Sequence, residues 1–346
     1  MAERLLVTGA GGFIGHHLVK YLVAQGHWVR GVDIRPAEHE RSNAHEFELL
    51  DLRYRENCLT ATRGIDHVYH LAADRAGTGY IAAKHAGIAC NNSLTNVHLL
   101  EAAWQNEVKR FLFASSARVY PQYLYRDADL RPLREDDAWP ADPEEGAGLE
   151  KLYMEKLCQY YTEDYGLETR VVRFHDVFGP LASYHGGAEK APAAICRKVA
   201  LAAPGGEIEV CGDGKQARSF MYVSDCVEGM HRLMRSDCSI PLNLDTDATV
   251  TIDELVAAVA RVAGKKIRIR HGPSRPHGVR DRRCDTTLLR YVLGWQPQVS
   301  LAEGLAPTYA WIARQVAQRD AHAGDGGAAR PPAKRHLLES GTAAYG

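Results

Sequence analysis

Short apolar runs alternate with amphipathic stretches through the first half of the chain. Six mostly apolar runs predict buried strands at positions 5–7, 28–33, 46–50, 66–71, 110–114 and 168–173. Between them, apolar residues recur with helical spacing, most clearly over 93–106 and 149–165. Strands that alternate with helices are typical of a parallel sheet covered by helices on both faces. The pattern therefore predicts an α/β fold built on a doubly wound parallel sheet.

The pattern loosens after Phe174, where Pro, Gly and short mixed segments such as GPLASYHGGAEKAP predominate. This composition predicts a smaller substrate lobe that closes over the carboxyl ends of the strands, where open α/β sheets bind ligands. We expect residues 1–174, with a later contribution from about 219–252, to form the main domain. Residues 175–218 and 253–320 would then form the lobe. Segment 321–346, rich in Gly, Ala, Pro and charge, predicts a mobile tail.

The most informative local pattern is LLVTGAGGFIG, near the N-terminus. An apolar strand runs into a turn with Gly9, Gly12 and Gly15, and a helical apolar pattern starts at Phe13 and Ile14. In dinucleotide sites such glycines allow a tight turn, a close approach of the pyrophosphate and close packing of helix on strand. The N–H groups of the first helical turn then attract phosphate. The segment therefore predicts a dinucleotide-binding loop.

Asp33 ends the next predicted strand, roughly twenty residues further on. A carboxylate at this position can accept a hydrogen bond from the ribose 2′-hydroxyl and would repel a 2′-phosphate. NAD is therefore the expected cofactor, and NADP is disfavoured. Arg35, which could attract a 2′-phosphate, is the one feature that favours NADP.

Composition argues against several other classes of protein. The 346 residues are 45% hydrophobic and carry a formal net charge of −1, which provides no attraction to nucleic acid or to an anionic membrane. No run is long and apolar enough to cross a bilayer, and the N-terminus lacks a secretory pattern. The eight cysteines are scattered without metal-ligand spacing, so we expect neither zinc nor a disulfide framework. Reduced thiols favour a cytoplasmic location.

Two further segments suggest the chemistry. FLFASSARVYP includes the fifth predicted strand, and GAGLEKLYMEKLC begins a helix that carries Lys151. A strand followed by Ser-Ser and then by such a helix resembles the extended short-chain dehydrogenase/reductase superfamily, which has a Rossmann fold. The motif expected there is Tyr-x-x-x-Lys, in which the lysine holds the nicotinamide ribose and lowers the pKa of the tyrosine so that it can act as a base. In this chain Ala147 occupies the tyrosine position.

A closer resemblance spans most of the chain, from about position 5 to position 318. The segments that carry it are GIDHVYHLAAD, DAWPADPEEGAGLEKL, GGAEKAPAAICRK, DGKQARSF, GVRDRRCD and LGWQP, which resemble the GDP-mannose 3,5-epimerase family. Members of that family bind NAD, oxidise C4 of the sugar transiently, invert C5 and C3 through enolised intermediates, and reduce C4 again. The resemblance implies a nucleotide-sugar epimerase or isomerase, a GDP-hexose as substrate and a homodimer as assembly.

The resemblance also implies roles for individual residues. Those expected to contact the cofactor are Gly9, Gly12, Phe13, Ile14, Gly15, Asp33, Asp51, Leu52, Leu71, Ala72, Ala73, Ala114, Ser115 and Lys151. Those expected to contact the substrate are Gly77, Ser116, Asp176, Lys190, Lys198, Gln216, Arg218, Ser219 and Arg280. Among them, Lys190 would transfer a proton and Ser116 would bind the C4 oxygen.

The chain departs from the family at three chemical positions. Besides Ala147, Arg118 stands where the family has a cysteine as its second proton-transfer group, and Asp176 replaces an asparagine. Burial of either new charge alone would be costly, so the simplest interpretation is an ion pair between Arg118 and Asp176. The alternative is that Arg118 binds an anionic substituent of a different sugar.

These departures leave three functions open. The chain is an impaired or diverged epimerase, an isomerase for a sugar that already carries a ketone, or a catalytically silent protein that binds NAD and a nucleotide sugar. Tyr120 remains a candidate replacement for the missing base. Tyr153 lies two positions after Lys151, on roughly the opposite face of the helix, so its involvement is not expected.

Overall fold

The computed structural model describes residues 2–74, 85–125, 131–187, 189–273 and 281–324. Its centre is a seven-stranded sheet in which every neighbouring pair of strands is parallel. In spatial order the strands are β11 (Leu242–Leu244), β6 (Glu168–Phe174), β5 (Arg110–Ser116), β4 (His67–His70), β1 (Arg4–Thr8), β2 (Trp28–Asp33) and β3 (Glu46–Leu49). The strand order reverses between β1 and β4, which is where doubly wound sheets bind ligands at their carboxyl edge.

Helices cover both faces of this sheet. One face carries α1 (Phe13–Ala24) and α6 (Val223–Arg235), and the other carries α2 (Arg55–Thr62), α3 (His85–Gln105) and α4 (Ala147–Tyr165). Successive strand residues supply the two cores: Leu5 packs with the first group of helices and Leu6 with the second. Side chains of a strand point alternately to opposite faces, so a strand buried on both sides must be apolar throughout.

The strands and helices predicted for the first half are confirmed to within two residues at nearly every end. Helix α3 is the exception, because it begins at His85 instead of residue 93. Its first turns are mostly exposed and show little apolar periodicity, so the hydrophobic pattern does not reveal them.

Three small sheets lie outside the main one. They pair β7 (Val177–Phe178) with β10 (Met221–Tyr222), β8 (Glu207–Cys211) with β13 (Arg268–Gly272), and β9 (Ala217–Ser219) with both β12 (Thr249–Thr251) and β14 (Asp281–Arg282). The remaining helices are α5 (Ala191–Leu201), α7 (Ile252–Val262), α8 (Thr287–Leu293) and α9 (Leu301–Gly324). Helices α5, α7 and α9 share a separate apolar core.

Helix α9 runs to Gly324, which is beyond the predicted start of the tail at residue 321. The rest of the predicted tail, 325–346, lies outside the described residues. Among the described helices, none combines the length and the apolar character needed to cross a membrane. All eight cysteines are free thiols.

Candidate active site

The glycine loop joins β1 to α1 in the way the sequence predicts. Gly9 has a φ of +69°, and a Cβ there would lie 2.9 Å from the backbone nitrogen of Ala72, at the end of β4. A Cβ on Gly15 would lie 2.1 Å from the carbonyl oxygen of Gly9. Gly12 caps α1 without a side-chain hydrogen bond, and the first turn of α1 contains no acidic residue. The first turn of α1 therefore offers backbone N–H groups to a phosphate with no acidic residue of that turn in competition.

Asp33 lies beside this loop at the carboxyl end of β2. Its Oδ2 accepts a hydrogen bond from the Gly11 N–H at 3.0 Å, and its Oδ1 accepts one from the Arg35 N–H at 3.1 Å. These bonds fix the carboxylate next to the glycine turn, where a ribose bound to the loop would be within its reach. The residues present thus fit a dinucleotide.

The neighbouring strand ends complete the predicted cofactor side. The N–H groups of Leu71 and Ala72 both donate to Thr8 Oγ1 at 3.2 Å, which ties the end of β4 to the glycine loop. Ala73 follows them in the same extended segment. Further out, the Asp51 carboxylate pairs with Arg53 at 2.6 Å, and hydrogen bonds from this guanidinium lower the pKa of Asp51. The adjacent Leu52 is buried.

Lys151 projects from α4 towards the end of β5. Its Nζ donates to the carbonyl oxygen of Ala114 at 2.9 Å and lies 4.4 Å from the centre of the Phe113 ring. The next residue after Ala114, Ser115, donates its hydroxyl hydrogen bond to buried Glu155. Ser116 Oγ accepts from the Arg118 N–H at 3.3 Å, so its own hydroxyl hydrogen can still be donated to a ligand oxygen.

A buried polar chain that sequence reasoning missed connects the glycine loop to α4. Thr8 Oγ1 lies 2.8 Å from His70 Nδ1, His70 Nε2 lies 2.8 Å from Asn96 Oδ1, and the Asn96 amide donates to Glu150 Oε1 at 2.9 Å. Glu150 Oε1 is in turn 3.9 Å from Lys151 Nζ. The Asn96 oxygen can only accept, so His70 carries its hydrogen on Nε2 and accepts from Thr8 on Nδ1.

Burial sets the ionisation of this chain. Complete burial, aided by the nearby Lys151 ammonium, lowers the pKa of His70 to about 3, so this imidazole is neutral at physiological pH. Burial also raises the pKa of Glu150. The one signal in the sequence for this buried polar chain is Glu150, the charged residue directly before Lys151. The sequence pattern does not indicate that His70 or Asn96 is connected to Glu150.

The predicted ion pair between Arg118 and Asp176 is wrong. Arg118 instead pairs with Glu144, their side chains meeting at 2.6 Å. The chain path explains the choice, because the Glu144 N–H donates to the Arg118 carbonyl at 3.0 Å and so brings the two residues side by side. A Cβ on Gly148 would lie 2.3 Å from that same carbonyl, which shows how closely the start of α4 packs here.

Asp176 pairs with Lys190 instead. The Lys190 ammonium donates to Asp176 Oδ1 and also lies 3.4 Å from the carbonyl oxygen of His175. Asp176 follows the end of β6, and Lys190 directly precedes α5. Both side chains are partly exposed, at 26% for Asp176 and 43% for Lys190. Two of the predicted substrate residues are thus brought together, with access to solvent.

Tyr120 is not available as a replacement base. Its side chain is fully buried, its hydroxyl donates to Asn243 Oδ1 at 2.6 Å, and the Arg173 guanidinium donates to the same hydroxyl at 3.2 Å. Burial raises the pKa of Tyr120. A phenol with these contacts cannot reach a sugar at the surface of the site. Tyr153 is 55% exposed.

The other predicted substrate residues are dispersed outside the main sheet, on α5 and in and around β9. Lys198 donates to the Glu209 carbonyl at 2.6 Å, and Gln216 donates to the Cys211 carbonyl at 3.0 Å. Arg218 donates to the carbonyl of Ala217. Ser219 is buried, and its hydroxyl donates to Asp245. The predictions for Gly77 and Arg280 lie outside the described residues.

The fold and the site together define a dinucleotide-dependent enzyme of the short-chain dehydrogenase/reductase type. The sheet order, the glycine loop with its acid, and the lysine of α4 each meet the requirements of that class. The chain belongs to the NAD dependent epimerase/dehydratase family, whose model matches residues 5–243.

Known relatives narrow this class. The chain is 45% identical over 315 residues to GDP-mannose 3,5-epimerase 1 of Oryza sativa subsp. japonica. The aligned region covers 90% of this chain and 82% of that protein. The UDP-glucose 4-epimerase of Thermotoga maritima, solved with UDP-glucose, superposes with a TM-score of 0.81 at 27% identity over 90% of this chain and 99% of that one. For the Thermus thermophilus UDP-glucose 4-epimerase in complex with NAD, the TM-score is 0.77 at 28% identity over 89% of this chain and 98% of that one.

These comparisons confirm four predictions made from the sequence. They are the resemblance to GDP-mannose 3,5-epimerases, the doubly wound Rossmann fold, membership of a nucleotide-sugar epimerase superfamily, and NAD as the cofactor.

Proposed function

We propose that this chain is an NAD-retaining nucleotide-sugar epimerase or isomerase that has lost the oxidation of a C4 alcohol and acts on a sugar that already carries a C4 ketone. The observation that carries this proposal is the pair of Lys190 and Asp176, present in a site where Ala147 supplies no phenol. A ketone acidifies the C–H bonds beside it, so a positioned base and acid can act there without a prior oxidation.

The cofactor would be held by the glycine loop, Asp33 and Lys151. Gly9 would allow the tight turn, Gly12 the close approach of the pyrophosphate and Gly15 the close packing of α1 on the loop. Asp33 would bind the adenosine ribose. Lys151, held at Ala114, would bind the nicotinamide ribose. When bound, NAD supplies a reversible hydride acceptor. Neither Lys151 nor Ser116 can easily act as the base that such an oxidation needs, because Lys151 is cationic and Ser116 has no base of its own beside it.

The two charged partners can carry out enolisation together. The Asp176 carboxylate would remove the proton from a carbon next to the ketone, and the electron pair of that C–H bond would move to the ketone oxygen. Ser116 would stabilise this oxygen through its hydroxyl hydrogen. The Lys190 ammonium would return a proton to the carbon, and proton exchange between Lys190 and Asp176 would reset the pair. Because the two groups lie side by side, inversion would require the enolised ring to turn its other face to Lys190 before the proton returns. Return on the same face would give exchange without inversion.

A second candidate is a catalytically silent protein that binds NAD and a nucleotide sugar. The salt bridge between Arg118 and Glu144 favours it, because the guanidinium at the position of the family's second proton-transfer group is engaged by the protein itself. Arg118 keeps a side-chain exposure of 27%, so a role in binding an anionic substituent of the sugar stays a proposal.

We further propose a GDP-hexose as substrate, a homodimer as assembly and the cytoplasm as location. The GDP preference is supported by the 45% identity to a GDP-mannose 3,5-epimerase. The dimer is supported by large apolar side chains that helices α3 and α4 leave exposed, namely Leu94, Trp104, Leu149, Tyr153, Tyr160 and Tyr165. The eight free cysteines support a reducing compartment.

Hydrogen exchange from solvent tests the proposed activity. The NAD-loaded protein is incubated in D2O with GDP-mannose and, separately, with a GDP-hexose that carries a C4 ketone, and the sugars are analysed by mass spectrometry. We expect deuterium at C3 or C5 of the keto-sugar above the no-enzyme rate, and none in GDP-mannose.

Asp176→Asn should abolish this exchange because it removes the base, whereas Asp66→Asn, a matched change at an aspartate paired with Lys109, should leave it intact. Binding of the keto-sugar without any enzyme-dependent exchange would establish the silent binder instead.

A further inference from the structure

A second cluster of chemically distinctive side chains lies beneath the proposed site. His175 follows β6, Asp245 follows β11 and Cys284 follows β14, so three separate strands place one ligand-bearing residue each at the same point. All three residues are buried, at 8%, 0% and 5% exposure respectively. The proposed reaction uses none of them.

The distances in this cluster suit a small cation. His175 Nδ1 and Cys284 Sγ each lie 3.6 Å from Asp245 Oδ2, and the three ligand atoms all lie within 4.8 Å of one another. Ligands of tetrahedral zinc at bond lengths of about 2.0–2.3 Å are separated from one another by roughly 3.3–3.6 Å. The two distances from Asp245 Oδ2 thus agree with those between ligands of a tetrahedral zinc ion without any movement of the side chains.

The polar balance of the cluster supplies an independent argument. Asp245 is fully buried, and its Oδ1 accepts no hydrogen bond within the described residues. Its Oδ2 already accepts from the Ser219 hydroxyl and from the Cys284 thiol. A buried carboxylate with one oxygen unsatisfied is costly unless a proton or a cation compensates it. One carboxylate, one thiolate and one neutral imidazole would balance a divalent ion to zero charge.

We propose that His175, Asp245 and Cys284 form a binding site for Zn²⁺. Imidazole nitrogen, carboxylate oxygen and thiolate sulfur form the mixed donor set that zinc accepts, whereas calcium and magnesium require oxygen ligands. Binding displaces the thiol proton of Cys284 to solvent as the sulfur–zinc bond forms. Ser219 is the positioning residue, since it orients the carboxylate from strand β9.

The role of the ion follows from where its ligands are anchored. His175 and Asp245 extend from the main sheet, whereas Cys284 follows β14 of the small sheet that contains Ser219. A shared ion would therefore fasten the small sheet to the carboxyl edge of the large one. The expectation of no zinc rested on the lack of closely spaced Cys and His motifs in the sequence. These three ligands lie at least 39 positions apart in the chain, so such motifs could not reveal them.

Metal binding by the intact protein tests this site directly. The full chain is stripped with a chelator and dialysed, and separate samples of the apoprotein are titrated with Zn²⁺ and with Co²⁺. We expect one equivalent of Zn²⁺ to bind and to raise Tm, and Co²⁺ to give a thiolate-to-cobalt charge-transfer band. Failure of the wild-type protein to bind one equivalent, or a cobalt spectrum without that band, would overturn the proposal.

Matched variants assign the ligands. Cys284→Ser should abolish the cobalt band, and Ser219→Ala should weaken Zn²⁺ affinity by about 10–100-fold, as is usual for outer-shell partners. Cys196→Ala, at a buried thiol inside an apolar core, should bind both metals like the wild type. An equal loss of the band in Cys196→Ala and Cys284→Ser, or its persistence in Cys284→Ser, would contradict the assignment. These readouts are independent of sugar exchange, so this inference and the proposed function fail separately.

Discussion

At the residue scale, Ala147 is the substitution with the largest chemical consequence. It is the first residue of α4, one turn before Lys151, and it leaves a methyl group where the superfamily resemblance implies a phenol. Of the residues expected to act with that phenol, Lys151 binds Ala114 O, and Ser116 has a hydroxyl hydrogen to donate. The missing group is therefore one that a single substitution can return.

Ala147→Tyr should restore oxidation of the sugar. The new phenol would lie near the Lys151 ammonium, which lowers the pKa of a neighbouring tyrosine and favours its action as a base. We expect formation of NADH from NAD and GDP-mannose, followed by its absorbance, to rise by about 10²–10⁴-fold. Ala147→Phe, which adds the ring without the hydroxyl, is the control and should show no gain. A comparable gain in both variants would mean that ring volume, and not the base, was missing.

Asp33→Ala should narrow the preference for NAD over NADP. The carboxylate can accept from a ribose 2′-hydroxyl and would repel a 2′-phosphate, so its removal weakens NAD binding and improves NADP binding. We expect the ratio of the two dissociation constants, measured by calorimetry, to fall by on the order of tenfold, or about 1.4 kcal/mol. Asp33→Asn separates loss of charge from loss of the acceptor. Tighter binding of NADP than of NAD by the wild type would refute the assignment of this residue.

At the element scale, the buried chain from Thr8 to Glu150 links four elements that meet at the cofactor side. Thr8 ends β1, His70 ends β4, Asn96 lies within α3 and Glu150 within α4. Each link needs its neighbour in one protonation state, because the neutral imidazole accepts from one side and donates to the other. Protonation of His70 would turn its acceptor into a donor and break the bond with Thr8.

Acid should destabilise the protein through this histidine. The pKa of His70 is about 3 when folded and about 6.5 when unfolded, so between these values the unfolded chain binds a proton that the folded chain does not. Stability is therefore lost as pH falls from 6.5 towards 3, by about 1.4 kcal/mol per pH unit at most. In urea unfolding across this range, His70→Gln should show a smaller loss than the wild type. His85→Gln, at an exposed histidine in the first turn of α3, should keep the wild-type slope.

The sequence predicted six of the seven strands of the main sheet, because most of them are largely apolar runs. Strand β11, which has only three residues, was not predicted. The strands of the small sheets β7–β10 and β9–β12–β14 have only two or three residues each, too few to show a period of two. Side-chain pairing was harder to predict for another reason. Arg118 meets Glu144 because a backbone hydrogen bond aligns the two segments. The types of the residues do not indicate which segments of the backbone will lie side by side, so this partner could not be predicted.

At the scale of the whole molecule, the proposed cofactor residues lie at central strands of the sheet and the proposed substrate pair lies nearer one edge. Strands β1, β2 and β4 supply the glycine loop, Asp33 and the segment after His70, while β6 leads to Asp176 and to its partner Lys190. Helices α3 and α4 pack on one another against the second face of the sheet and leave large apolar side chains facing outwards. The proposed homodimer would pair through this exposed helix face.

The proposed homodimer should depend on the outer face of α4. Tyr153 and Tyr160 lie seven residues apart on this helix and are both about half exposed, so a pair of glutamates there places charge in the interface. Tyr153→Glu combined with Tyr160→Glu should give a monomer in light scattering, where the wild type gives a dimer. Tyr291→Glu, at a tyrosine that is 87% exposed on α8, should remain dimeric. A monomeric wild type at working concentration would rule out the dimer.

The place of β11 in the sheet has a consequence for synthesis on the ribosome. Strand β6 acquires its outer partner only when residues 242–244 have emerged, and α6, which covers α1, emerges shortly before them. Until that moment the nascent chain presents a strand edge with unpaired N–H and C=O groups above an uncovered apolar face. A gene fragment that stops at residue 174 would lack β11 and α6, so the edge of β6 and the apolar face would stay exposed. Cells expressing it are expected to accumulate inclusion bodies, whereas a fragment that continues through β11 would close the sheet.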